Sequence, residues 1–217
     1  MTNSEAAIVL GAGALSVAGV AFALLAATVA RRIADLVGMA GGGVILFVGL
    51  THLAPEAFAA GDVERIFLLG GAGVGILLEV IFRARNLSSP ATEQIGAWLG
   101  IVVLGLHSTL DGAVYTAVFW HNHAAGLMAS AGLILHEAPE GIVAMALALR
   151  AGLKPPVAAV TAVLASSVTT PLGWIIAHAI GESGQGVMQI MFAASAGLLL
   201  YVGWHMIAGG IRSLRRT

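Results

Sequence analysis

Seven apolar stretches, each about the 20 residues a helix needs to cross a hydrocarbon layer, leave this chain little choice but a bundle of membrane-spanning helices. They lie near 6–30, 36–59, 64–84, 95–120, 125–149, 156–180 and 187–211. The breaks between them are short and hold nearly all the charge: Arg31-Arg32, Gly61 to Arg65, Arg83 to Glu93, His121-Asn122-His123, Arg150 to Pro156 and Gly181 to Gly184. Only 10% of residues are charged and mean hydropathy is +0.96, where a soluble domain has about 25% charged residues. No break is long enough to separate domains, so residues 1–217 are expected to form a single transmembrane domain. Residues 6–30 follow Glu5 with no Lys or Arg before them and outrun a cleaved signal, so they are expected to remain as the first span.

Charge asymmetry sets an orientation. Arg31, Arg32, Arg83, Arg85, Arg150, Lys154, Arg212, Arg215 and Arg216 fall on alternate breaks, and Arg65 stands alone on the other side. Basic residues collect in the cytoplasm, which places the N-terminus outside and the C-terminus inside. Trp98, Trp120 and Trp204 fall near the expected interfaces, where aromatic belts sit. Gly43 to Gly49 in the second span also echoes Gly197 to Gly203 in the seventh, which runs the opposite way, as inverted repeats do; chance repetition of Gly, Leu and Val explains it equally well.

A net charge of −1 offers no basic surface for nucleic acid, and the absence of cysteine excludes disulfides and thiolate metal sites. Against that background Leu104 to Gly141 stands out. His107-Ser108-Thr109-Leu110-Asp111-Gly112 and His136-Glu137-Ala138-Pro139-Glu140-Gly141 each place a His and an acid four residues apart, on one face of a helix. His107 and His136 fall near the midpoints of consecutive spans joined by a short turn, so the two faces can meet at one depth. Ionisable groups there are costly unless paired, hydrated or metal-bound. His107, Asp111, His136, Glu137 and Glu140 could bind one or two divalent cations, with zinc first and Fe2+, Mn2+ or Cd2+ as alternatives. Pro139, lacking an amide hydrogen, is expected to free the Leu135 carbonyl and bend the fifth helix. The plainer alternative is a buried polar network that fixes two helices, although such networks usually use Ser, Thr or Asn.

His52 and Glu56, with His121, His123 and His178, could form an outer funnel that gathers cations, or could be interfacial residues touching water. Two rival functions remain. A zinc-activated water could hydrolyse a lipid amide or ester, which calls for ligands near an interface rather than at mid-depth. A metal sensor would bind without transport.

The two motifs resemble the fourth- and fifth-helix patterns of the ZIP family of divalent metal transporters, the Zrt- and Irt-like proteins. His52-Leu53-Ala54-Pro55-Glu56-Ala57 is similar to the signature that ends the family's second helix. The resemblance implies an all-α polytopic protein of the cell membrane, a bacterial inner membrane here, and a transporter rather than an enzyme. It implies zinc movement toward the cytoplasm as a helical block slides or rocks against a scaffold. His107, His136 and Glu140 would line one metal position; Ser108, Asp111, Glu137 and Glu140 would line or flank a second, with Glu140 as the bridge. Ala165 to Pro171 offers only Ser166, Ser167, Thr169 and Thr170 where some relatives carry a further acid. Eight spans are usual in the family and seven are read here, so the expectation is either a short form of the family or reliance on a partner subunit for the eighth span; a homodimer would fit.

Overall fold

The computed structural model describes residues 3–29, 31–84, 90–121, 127, 130, 134–181 and 185–214. Every regular element among them is helical: α1 (Asn3–Val29), α2 (Arg31–Val48), a π turn (Gly49–Leu53), α3 (Ala54–Ala60), α4 (Asp62–Ala84), α5 (Pro90–His121), a 3-10 turn (Ile134–His136), α6 (Glu137–Arg150), α7 (Pro155–Ser166), α8 (Thr169–Ile180) and α9 (Gln185–Leu214). Five described stretches are long and apolar enough to cross a membrane: Ser4–Ala27, Leu36–Ala60, Gln94–Thr116, Pro155–Ile180 and Gln189–Ile211. They coincide with the first, second, fourth, sixth and seventh spans expected from the sequence. α4 occupies the third, and α6 the described portion of the fifth. The chain is an all-α polytopic membrane protein.

Among the described residues three spans are interrupted, each near a proline. Pro55 cannot bond the Thr51 carbonyl, and the helix absorbs this in the π turn that carries His52. Pro171 deprives the Ser167 carbonyl in the same way, and the sixth span divides into α7 and α8. The amides of Ser167 and Val168 both bond to Val163 O there, at 2.9 and 3.1 Å. The fifth span departs from the expectation of a continuous helix bent at Pro139. α6 begins at Glu137 after a 3-10 turn, so Pro139 lies in its first turn, where a missing N–H leaves no bond unmade.

Packing sorts the helices into two groups. α1, α5, α6, α7 and α8 form one; α2, α3, α4 and α9 form the other; α5 on α9, α2 on α6 and α1 on α2 join them. Among the described residues three helix pairs cross at reciprocal glycines. A Cβ at Gly19 would strike Ala138 O and one at Gly141 would strike Ser16 O, joining α1 to α6. Gly112 abuts Thr170 O and Gly173 abuts Thr109 O, joining α5 to α8; Gly71 meets Ala194 O and Gly197 meets Leu68 O, joining α4 to α9. In every pair each glycine faces the carbonyl three residues before its counterpart, the signature of parallel helices in backbone contact. Small residues permit such crossings, which in a membrane rest on close packing and Cα–H···O contacts. α2 and α9 instead run antiparallel, since Gly42 meets Gly203 and Gly49 meets Leu200. The two segments of the sequence echo therefore pack on each other. Pairing the first span with the fifth, the fourth with the sixth and the third with the seventh in parallel is what spans alternating in direction require.

Candidate metal centre

α5 is amphipathic in the sense a membrane demands. Val102 and Leu106 on its outer face are more than half exposed, while His107, Asp111 and Tyr115, spaced by four, are fully buried within the protein. The 3-10 turn brings His136 to that inner face. His136 Nε2 lies 2.8 Å from Asp111 Oδ2, and His107 Nε2 lies 3.3 Å from the same oxygen. The two imidazole centroids are 5.8 Å apart. A tetrahedral zinc with bonds of about 2.0–2.1 Å spaces its donors about 3.3–3.4 Å apart, and one donor atom from each of the three residues lies within 4.8 Å of the others. His107, Asp111 and His136 can thus close around one cation with small side-chain adjustments.

Two further acids flank the trio. Ser108 donates its hydroxyl to Glu140 Oε1, and the buried Tyr115 hydroxyl donates to Glu137 Oε1 at 3.3 Å. The other oxygen of each carboxylate has no hydrogen-bond partner among the described residues, and neither have Asp111 Oδ1, His107 Nε2 and His136 Nδ1. So many unsatisfied acceptors and imidazole nitrogens in one dry place are costly. A cation would meet the need directly, because its charge offsets the burial of the carboxylates. Three acids, two imidazoles and a hydroxyl form a hard-to-borderline donor set, one that suits zinc and tolerates iron or manganese.

The helix phase explains where Glu137 ends up. A continuous fifth helix would set it beside the ligand face rather than on it. Because α6 starts at Glu137, His136 belongs to the preceding turn, and both Glu137 and Glu140 point inward. Tyr115 escapes the motif-based reading although its spacing of four from Asp111 continues the face of α5. Ser195 of α9 escapes it too; its Oγ lies 3.2 Å from His107 Nδ1, and Phe192 stacks on the His107 ring at 6.0 Å. No local signal marks Ser195 or Phe192, since both act across a tertiary contact.

The outer funnel is brought together only in some of its members. His52 and Glu56 are exposed, one on the π turn and the other on α3, with Thr51 Oγ1 2.9 Å from His52 Nδ1. The His121 side chain and His123 lie outside the described residues. His178 joins a different cluster: its Nδ1 bonds to Trp174 O at 3.0 Å, and its Nε2 lies 3.5 Å from Glu5 Oε1, which also accepts Trp174 Nε1 at 2.9 Å. That cluster ties the first turn of α1 to α8.

Comparison with known proteins agrees with this chemistry. The sequence model of the family described as "ZIP Zinc transporter" matches residues 84–209, which contain every residue of the buried cluster, while His52 and Glu56 precede the match. The chain is 36% identical over 115 residues to "Zinc transporter foi" of Drosophila melanogaster, covering 53% of this chain and 16% of that protein. It is 33% identical over 106 residues to "Zinc transporter ZIP10" of Danio rerio, covering 49% of this chain and 12% of that protein. It is also 33% identical over 106 residues to "Zinc transporter ZIP6" of Homo sapiens, with 49% and 14% covered. The matches therefore span less than a fifth of these longer relatives. With a family match across more than half its length and a buried imidazole and carboxylate cluster inside that match, the chain belongs to the ZIP family of zinc transporters.

Proposed function

We propose that this chain moves divalent metal ions, zinc first, across a membrane toward the cytoplasm, with His107, Asp111 and His136 forming the position that holds the ion in passage. The observation that carries the reading is the convergence of His107 and His136 on one oxygen of Asp111, with unsatisfied donor atoms of Glu137 and Glu140 beside it. Asp111, which the resemblance sets with the second position, moves to the first in this reading because both imidazoles meet its Oδ2; Ser108, Glu137 and Glu140 form the second position, and Glu140, four residues past His136, is the bridge between them. Fe2+, Mn2+ and Cd2+ are alternative cargoes because the same donors accept them. The bias of basic residues toward alternate breaks supports an N-terminus outside. A bacterial inner membrane and a second copy of the chain as partner complete the proposal. His107 lies near the middle of the Gln94–Thr116 span, a depth that suits passage better than hydrolysis at an interface.

His52 and Glu56 serve as the outer approach in this reading, because both are exposed and stand together on the interrupted end of the second span. The test is zinc flux into liposomes that hold the purified protein and an enclosed fluorescent chelator, with wild type beside His136→Ala. Flux that depends on His136 supports the proposal. Equal flux through both proteins sinks it, and binding without flux would replace transport with sensing.

A further inference from the structure

Ser195 stands on α9, in the group of helices opposite the metal centre, yet its hydroxyl meets the imidazole of His107 on α5. The Ser195 hydroxyl donates its hydrogen to Phe192 O, three residues back on the same helix, at 2.9 Å. An oxygen so engaged can only accept on its other side. The hydrogen in the 3.2 Å contact with His107 therefore sits on His107 Nδ1. A neutral imidazole carries one N–H, which leaves Nε2 with a lone pair. That lone pair faces Asp111 Oδ2 at 3.3 Å, without a hydrogen bond to it. His107 and Ser195 are both buried, so bulk water does not compete for Nδ1. Phe192, whose carbonyl accepts the Ser195 hydroxyl, also stacks on the ring with an interplanar angle of 23°.

We infer that Ser195 is the positioning residue that holds His107 in its Nδ1–H tautomer and so presents Nε2 to the cation. The inference rests on the proposed metal centre and deepens it. Partners of this kind fix which nitrogen binds metal and raise the basicity of the ligand. Here the partner lies across the boundary between the two helix groups. A displacement of α5 along α9 that breaks the contact would release the tautomer, so the hold on the ion depends on how the two groups are registered.

The experiment uses full-length protein in detergent micelles with 15N-labelled histidine, first freed of metal by chelation and then titrated with zinc. The His107 signals are assigned by their loss in His107→Gln. Wild type should show a protonated Nδ1 and an unprotonated Nε2. Ser195→Ala should shift this toward Nε2–H and weaken zinc binding by about 10- to 100-fold, and Ser195→Thr, which keeps the hydroxyl, should restore both. An Nε2–H tautomer in wild type overturns the inference, as does a tautomer unchanged in Ser195→Ala whatever happens to affinity. Wild type that binds no zinc defeats the metal centre instead, while the metal-free spectra still decide the role of Ser195.

Discussion

Substituting alanine at Gly112 tests whether α5 and α8 are held together by backbone contact. A Cβ there would lie 2.7 Å from Trp174 N and 2.9 Å from the Thr170 carbonyl carbon, where ordinary contact begins at 3.4 Å. The Thr170 carbonyl oxygen lies nearer still, so α5 and α8 must separate by more than the roughly 0.7 Å that would clear Trp174 N, and a gap of about 0.5–1 Å already forfeits roughly a quarter to a half of each van der Waals well along the crossing. Gly112→Ala should cost about 1–3 kcal/mol, the usual range for overpacking. Gly173→Ala, whose Cβ would lie 2.6 Å from the Thr109 carbonyl carbon, should cost about as much. Once one methyl has separated the helices the second meets less resistance, so the double variant should fall short of the sum by about 0.5–3 kcal/mol. Gly43→Ala is the control, with nothing within 4 Å of its added carbon, and should leave stability unchanged or raise it by up to about 1 kcal/mol through helix propensity. The measurement is reversible unfolding in detergent micelles titrated with SDS. Zinc affinity should fall with Gly112→Ala, because Asp111 moves with its neighbour, and hold with Gly71→Ala, which loosens α4 and α9. An additive double variant, or a Gly112→Ala as harmless as Gly43→Ala, would refute the close crossing.

Glu140→Ala should abolish zinc flux in liposomes while leaving the protein in the membrane, since it removes the carboxylate proposed to bridge two metal positions; flux at wild-type level would remove Glu140 from the path. Tyr115→Phe deletes the donor to Glu137 Oε1 in a dry setting and should cost about 1–3 kcal/mol in the same unfolding assay. Zinc binding at His107, Asp111 and His136 should persist in Tyr115→Phe, and a neutral effect on stability would mean that Glu137 finds another partner.

Much of the centre is legible in the amino-acid sequence, because its main device is local. Four-residue spacing puts His107 above Asp111 on any helix, and short connections put His136 opposite. The ends of helices are harder to foresee. Whether α6 begins before or after His136 decides which way Glu137 points, and that depends on a 3-10 turn rather than on the residue pattern. The division of the sixth span is within reach, since Pro171 stands four residues after Ser167, but hydropathy alone hides it. The partnerships of His107 with Ser195 and of His178 with Glu5 join residues 88 and 173 positions apart, and only the packed bundle brings them together. The glycines closing both motifs look like general packing surface in the sequence; reciprocity with Gly173 and Gly19 gives Gly112 and Gly141 a defined task.

In the proposed passage, the start of α6 at Glu137 would bear on how long an ion stays. A helix presents roughly half a positive charge at its first turn, and here that pole is directed at the carboxylates of Glu137 and Glu140. They shield the ion from it, yet the pole still works against any cation that settles between them. Release along the proposed path would then begin with a built-in push. A site made of three carboxylates alone could become a trap, and conduction needs an ion that leaves as readily as it arrives. The short turn that ends in His136 would thus temper dwell time as well as placing a proposed ligand.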